Sequence, residues 1–199
     1  MKKIKVDSFL LLDKKNNEEY NYYNQDVDFN ILDIDNSIDI LKLEINLFSS
    51  NLNLNISGIN NIKKRIDILI NFCSSNNNAK ININYLCKNE KTLDIKVNGK
   101  IIENFSNNKI IFLLNGIIDE ENTSVIMKPI FEVSSNELEA NHSCNIGAIN
   151  KDILWFLMSR NFSKTEAIKK IIWSHFHLVL KNLNEDKSNY FEKIISEKI

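Results

Sequence analysis

KPIFEVSSNELEANHSCNIGAINKDILWFLMSRNFSKTEAIKKIIWS, residues 128–174, is where the chain changes its period. The stretch holds the only proline, Pro129, and one of four glycines, Gly147. It also holds His142 and Cys144, two metal-capable side chains two residues apart. Upstream, apolar and polar residues alternate, the mark of half-buried strands. Downstream, apolar residues recur at three and four positions, the mark of an amphipathic helix. The metal-capable pair therefore lies close to a change of architecture.

Working back from Pro129, the alternation is clear from Val27 onward. Val27, Phe29 and Ile31 face one way with Asp28 and Asn30 between them, and similar runs follow at 38–40, 43–47, 52–56, 66–72, 79–86, 93–97, 100–102, 110–114 and 125–133. Clusters of Asn, Ser and Asp, with Gly58, Gly99 and Gly116, read as punctuation between strands. Asn98-Gly99-Lys100 is the one hairpin signal. Residues 13–26 are polar and read as a loop or a weak strand. Many short strands with polar corners fit a sandwich, a barrel or a parallel β-helix. The lack of an exact repeat counts against the β-helix. Asparagine at the corners counts for it, because Asn tolerates the left-handed backbone of sharp turns.

Working forward, Asn150 is placed to cap a helix whose apolar positions are Ile153, Leu154, Leu157 and Met158. Ser163 and Glu166 have the spacing of a capping box. The helix they open is expected to run over 164–180, with Ile168, Ile171, Ile172, His175, Phe176 and Val179 on one stripe. A last helix is expected over 188–198 with Phe191, Ile194 and Ile195 inward. The organisation read from the sequence is a loosely ordered segment 1–26, a β core 27–149 and a helical domain 150–199.

The chain has 199 residues, enough to bury a sizeable core. Its 25 basic and 26 acidic side chains leave a net charge of −1, without the basic excess of a nucleic-acid binder. Cys73, Cys87 and Cys144 form no CxxC and cannot all pair, which suits a reducing compartment. The apolar run at 9–12 is too short for a signal peptide, and the run at 153–158 is too short to span a bilayer. A soluble cytoplasmic protein is expected, or one of the stroma of a plastid-type organelle in a eukaryote, with no membrane or nucleic-acid partner.

In an extended segment His142 and Cys144 share a face. An imidazole and a thiolate there could ligate iron or zinc, but two ligands do not complete a site. The plainer reading makes Cys144 a small core residue and His142 a satisfied polar one. His175 and His177 face different ways on a helix and lack the i, i+4 spacing of zinc proteases. His175 falls on the buried stripe. No Walker loop, GxSxG, HExxH or glycine-rich dinucleotide loop is present, so the chain is not expected to be an enzyme.

The order of motifs in 128–176 resembles the C-terminal part of the SufB/SufD family of iron–sulfur assembly scaffold proteins. The matching residues are Lys128-Pro129-Ile130-Phe131-Glu132-Val133, His142 to Gly147, Ile153 to Leu157, Ser159-Arg160-Asn161-Phe162-Ser163, Glu166-Ala167 and Phe176. Phe112 to Gly116 resembles the leucine-rich run that precedes the proline strand. Ser143 stands where SufB-like members have Glu and SufD-like members Gly, and the details lean towards SufD. Asn161 stands where a glycine is usual.

The resemblance implies a mainly β fold, a right-handed parallel β-helix followed by a small C-terminal helical domain. It implies pairing with a SufB-like subunit, a homodimer being the alternative assembly, and docking of a SufC-like ABC ATPase on the helices. Arg160, Phe162 and Trp173 are the expected docking residues, with Trp173 pointing away from the domain core. The resemblance puts His142 at the subunit interface, active in cluster building; the alternation puts Cys144 on the same face as a second potential ligand, although the family does not require cysteine there. No cofactor is expected to be bound stably: the iron–sulfur cluster passes through transiently at the subunit interface, and ATP enters only through the partner. Two further readings are a subunit that only stabilises the scaffold complex, and an unrelated carbohydrate-binding β protein with an aromatic groove.

Overall fold

The structure, a computed structural model, describes residues 3–12, 17–101, 105–119, 123–135 and 137–199. Residues 13–16 of the expected loop or weak strand 13–26, and Ile102 of the expected strand 100–102, lie outside these. The strands are β1 (Ile4–Leu11), β2 (Asn17–Tyr23), β3 (Gln25–Asp33), β4 (Ile40–Phe48), β5 (Asn51–Asn60), β6 (Lys64–Phe72), β7 (Asn78–Cys87), β8 (Thr92–Ile101), β9 (Asn108–Ile118), β10 (Ser124–Val133) and β11 (Leu138–Gly147). The helices are α1 (Lys151–Ser159), α2 (Lys164–Ser174), α3 (His177–Leu180) and α4 (Glu185–Lys198).

Odd-numbered strands form one six-stranded sheet in the order β1-β3-β5-β7-β9-β11, and even-numbered strands a five-stranded sheet in the order β10-β8-β6-β4-β2. All the pairings are parallel. The chain thus winds from one sheet to the other and back, a β-helix rather than a sandwich or barrel. Hairpins play no part among the described residues. Asn98-Gly99-Lys100 lies inside β8 instead of turning the chain.

The inward columns of the middle turns are built mainly of aliphatic and aromatic residues. Phe29, Leu54, Ile81 and Phe112 stack through successive turns, as do Leu43, Ile68 and Val97. The β-helix starts at β1, earlier than the expected Val27. In β2 Tyr20 and Tyr22 point inward between Glu and Asn, a contrast too weak to stand out in sequence.

Backbone chemistry explains the corners. Asn24, Asn36, Asn76, Asn89 and Asn107 have φ between 53° and 63°, the left-handed region that Asn tolerates, whereas no glycine has positive φ. Buried corner groups are paired from turn to turn: the Ser50 amide donates to Asn77 Oδ1 and the Asn77 amide to Asn108 Oδ1, both at 2.9 Å. On the outer face Asn82 donates to Asn55 and Asn55 to Asn30, at 2.8 and 2.9 Å. These ladders satisfy polar groups that burial would otherwise penalise.

Gly58, Gly99 and Gly116 sit within strands and make room for packed side chains. A Cβ on Gly58 would lie 2.3 Å from the Tyr85 ring. Tyr85 needs that space to donate to Asp33 Oδ2 at 2.7 Å, while Lys64 Nζ donates to both Asp33 oxygens at 2.6 and 2.7 Å inside the β-helix.

A second core joins the helices to the outer face of the larger sheet. Leu32, Ile59, Leu86 and Ile117 meet Ile172, Phe176, Val179, Leu180, Phe191 and Ile195. The expected continuous helix over 164–180 is broken at His175 and Phe176, so its stripe is carried by α2 and α3. The break lets Phe176 turn into the second core, where the His175 carbonyl accepts from Ser57 Oγ at 2.6 Å. No helix among the described residues is long and apolar enough to cross a membrane.

Candidate functional site

The two ends of the β-helix differ. At the β1–β2 end, Glu18, Tyr20 and Tyr22 occupy inward positions, opposite Leu43, Ile45 and Leu47. Tyr20 stacks on Tyr22 and meets Phe29 edge-on, and burial together with the neighbouring Glu18 pushes its phenol up. An inward carboxylate and polar phenols blunt that end.

At the β10–β11 end, both strands are free edges. Pro129 lies on β10, where a missing backbone donor is tolerated. The inward row of β11 is Ala140, His142, Cys144 and Ile146, opposite Ile110, Phe112, Leu114 and Gly116. The inward row of β10 includes Met127 and Phe131, opposite Ile95 and Gly99. Ala140, His142, Cys144 and Ile146 continue the core columns, yet all four are exposed, because no further turn covers them. This end is an interior face left open.

His142 and Cys144 share this face, as the alternation implied. Their Cα atoms are about 6.6 Å apart along the strand. The His142 ring centroid is 5.8 Å from that of Phe131. Cys144 carries a free thiol, and partial desolvation pushes it above its ordinary value. Among the described residues no group of three or more His, Cys, Asp or Glu is arranged to hold a metal ion. The two side chains form half of a ligand set at a free edge.

The helices that follow carry a second exposed surface. Asn150 caps α1 by accepting from the amides of Asp152 and Ile153. None of the α1 residues is buried; Trp155 is 73% exposed and Phe156 57%. The Arg160 guanidinium lies over the Phe156 ring at 5.2 Å, and Lys170 Nζ over the Phe162 ring at 4.9 Å. Asn161, in place of a glycine, adopts φ 70° and turns the chain into the capping box of Ser163 and Glu166. Hydrogen bonds from the Ser163 side chain and backbone hold the Glu166 carboxyl below its usual range.

Trp173 does not project from the core as expected. It is half-buried, packs against the second core and stacks with Phe176 at 6.3 Å. It sits one turn before Phe176, the side chain that docks α2 and α3 on the sheet, so packing takes its ring inward. The freely presented tryptophan is Trp155, which the sequence reading placed on a helix but not on an open surface.

Residues 113–175 match the family described as "SUF system FeS cluster assembly, SufBD core domain". That stretch, about a third of the chain, is similar to a SufBD core domain. The match runs from within β9 to the end of α2 and contains His142, Cys144, Arg160, Phe162 and Trp173. It ties the protein to iron–sulfur cluster assembly by the SUF system, and the resemblance read from 128–176 to the SufB/SufD family holds. No curated protein matches the chain. Within the matched stretch the open β-helix end and the exposed α1 lie close in sequence, Gly147 closing one and Lys151 opening the other.

Proposed function

We propose that the chain is a SufD-like subunit of an iron–sulfur cluster assembly scaffold complex. A SufB-like subunit covers the open β10–β11 end, and an ABC-type ATPase docks on α1 and α2. The observation that supports this best is the unfinished interior face at one end of the β-helix. A row of core-facing positions carrying His142 and Cys144 is presented to solvent on a free edge, while the opposite end is blunted. Edge strands invite strand addition, so a partner's strand would complete the sheet and bring further ligands to the pair.

The chemistry follows from the two side chains. A neutral imidazole can ligate iron through one nitrogen or pass a proton near neutral pH. The Cys144 thiol must lose its proton before it can ligate, and its partial desolvation disfavours that loss. The cluster is cargo: it assembles between the subunits and leaves. ATP acts only through the ATPase, whose docking places Arg160, Phe162 and the apolar α1 residues at the contact. The chain itself catalyses no turnover.

The test is to purify the chain with its partners from its own cells and reconstitute it anaerobically with iron and sulfide. His142→Ala should leave the complex assembled but lower the iron and sulfide retained, and Cys144→Ser should have the smaller effect. An assembled His142→Ala complex that builds clusters at the wild-type level would leave only a subunit that stabilises the scaffold. Absence of SUF partners from the purified material would remove the scaffold reading itself.

A further inference from the structure

Among the described residues no hydrogen bond holds the His142 imidazole; its contact is with an aromatic ring. We propose that Phe131 is the positioning residue for His142, an inference that rests on the role given to His142 above. Three features build the position. Gly99, opposite Phe131 on β8, leaves a gap: a Cβ there would lie 2.4 Å from Ile110 Cδ1, 3.1 Å from Phe112 Cζ and 3.4 Å from Phe131 Cδ1. The gap lets Phe131 stack on Phe112 with centroids 4.7 Å apart and planes at 30°. Phe112 is fully buried, so the base of the stack is fixed. The Phe131 ring also meets His142, with centroids 5.8 Å apart and planes at 57°. A column from Gly99 through Phe112 and Phe131 thus carries the rigidity of the core out to an imidazole on an exposed edge strand.

The choice of an aromatic contact has a chemical consequence. A histidine ligand is commonly oriented by a hydrogen bond at its second nitrogen, which fixes the tautomer and occupies that nitrogen. Here the ring is held by an aromatic contact, and neither nitrogen has a hydrogen-bond partner among the described residues. One can take iron while the other exchanges a proton with solvent or with a partner group. That suits a transient site better than a permanent one, because no internal acceptor locks the imidazole in a single tautomer.

The experiment compares Phe131→Leu, which keeps apolar volume but removes the ring, with Phe131→Tyr, which keeps the ring. In the full chain labelled at histidine and phenylalanine, nuclear Overhauser contacts between the Phe131 and His142 rings should be present in the wild type. The His142 ring resonances should shift in Phe131→Leu and stay near wild type in Phe131→Tyr. In reconstituted complexes Phe131→Leu should lower cluster yield about two- to tenfold, the range expected for one aromatic contact, and Phe131→Tyr should restore it. Wild-type rings without mutual contacts would overturn the assignment, whatever the variants do. So would a Phe131→Leu complex that matches wild type while His142→Ala is impaired, and in that case the role of His142 survives. If His142→Ala is itself unimpaired, the role of His142 falls and the positioning role with it.

Discussion

Removing Lys64 should cost more stability than any surface change. Its ammonium and the Asp33 carboxylate are essentially without solvent access, at 0% and 1%, with Nζ 2.6 and 2.7 Å from the two oxygens. Burial pushes the Asp33 carboxyl up, and Lys64 and then Tyr85 pull it back. In Lys64→Met the apolar stem is kept and the charge is lost, so Asp33 retains only the Tyr85 hydroxyl. Stranding one member of a buried pair costs about 3–5 kcal/mol. In a chain of this size each kcal/mol moves the melting midpoint by about 2–4 °C, so a fall of about 6–20 °C is expected by circular dichroism at pH 7.5. The deficit should shrink towards acid, because protonating Asp33 removes the unpaired charge and the raised folded-state pKa favours that form. Adding Asp33→Asn to Lys64→Met should recover part of the loss. A single variant that melts within about 2 °C of wild type, equivalent to a loss of under about 1 kcal/mol, would refute the reasoning, as would a double variant no better than the single one.

Two further outcomes follow from the helical cap. Burial holds the His175 imidazole below its ordinary pKa, and its Nδ1 is buried without a hydrogen-bond partner among the described residues. The depressed value makes the neutral form the folded form, so stability present above about pH 6.5 should be lost as pH falls through the folded-state value. Comparing melting at pH 7.5 and 5.5 for wild type and His175→Leu should show a smaller acid loss in the variant; equal losses would remove His175 as the cause. Trp155→Glu should weaken association with the ATPase at unchanged melting temperature, whereas Trp173→Glu should lower the melting temperature. Pull-down and thermal melts on the same samples check both, and undiminished ATPase binding by Trp155→Glu would exclude α1 as the anchor.

Much of this architecture was legible in the residues themselves, for local reasons. A strand with one face buried must alternate, so 27–133 announced its strands without any tertiary information. Asn at corners supplies the left-handed turns, and the spacing of Ser163 and Glu166 alone specifies the start of α2. Likewise Asn150 marks the start of α1. The shared face of His142 and Cys144 follows from the same local rules.

The repeat was hidden for a physical reason. The parallel ladder constrains which residues stack, not how many residues lie between strands. The offsets between paired residues therefore vary from 21, between Ile4 and Gln25, to 32 between Thr92 and Ser124. Gly58 and Gly99 were misread as punctuation because their value lies in what packs above them, Tyr85 in one case and Phe112 with Phe131 in the other. Local pattern cannot bring Phe131 beside His142, since they belong to different sheets and meet only when the last turn closes. Nor can it tell that the interior row of β11 is left open, or that Trp155 rather than Trp173 stands free. Exposure depends on whether another layer arrives, and the winding of the whole chain settles that.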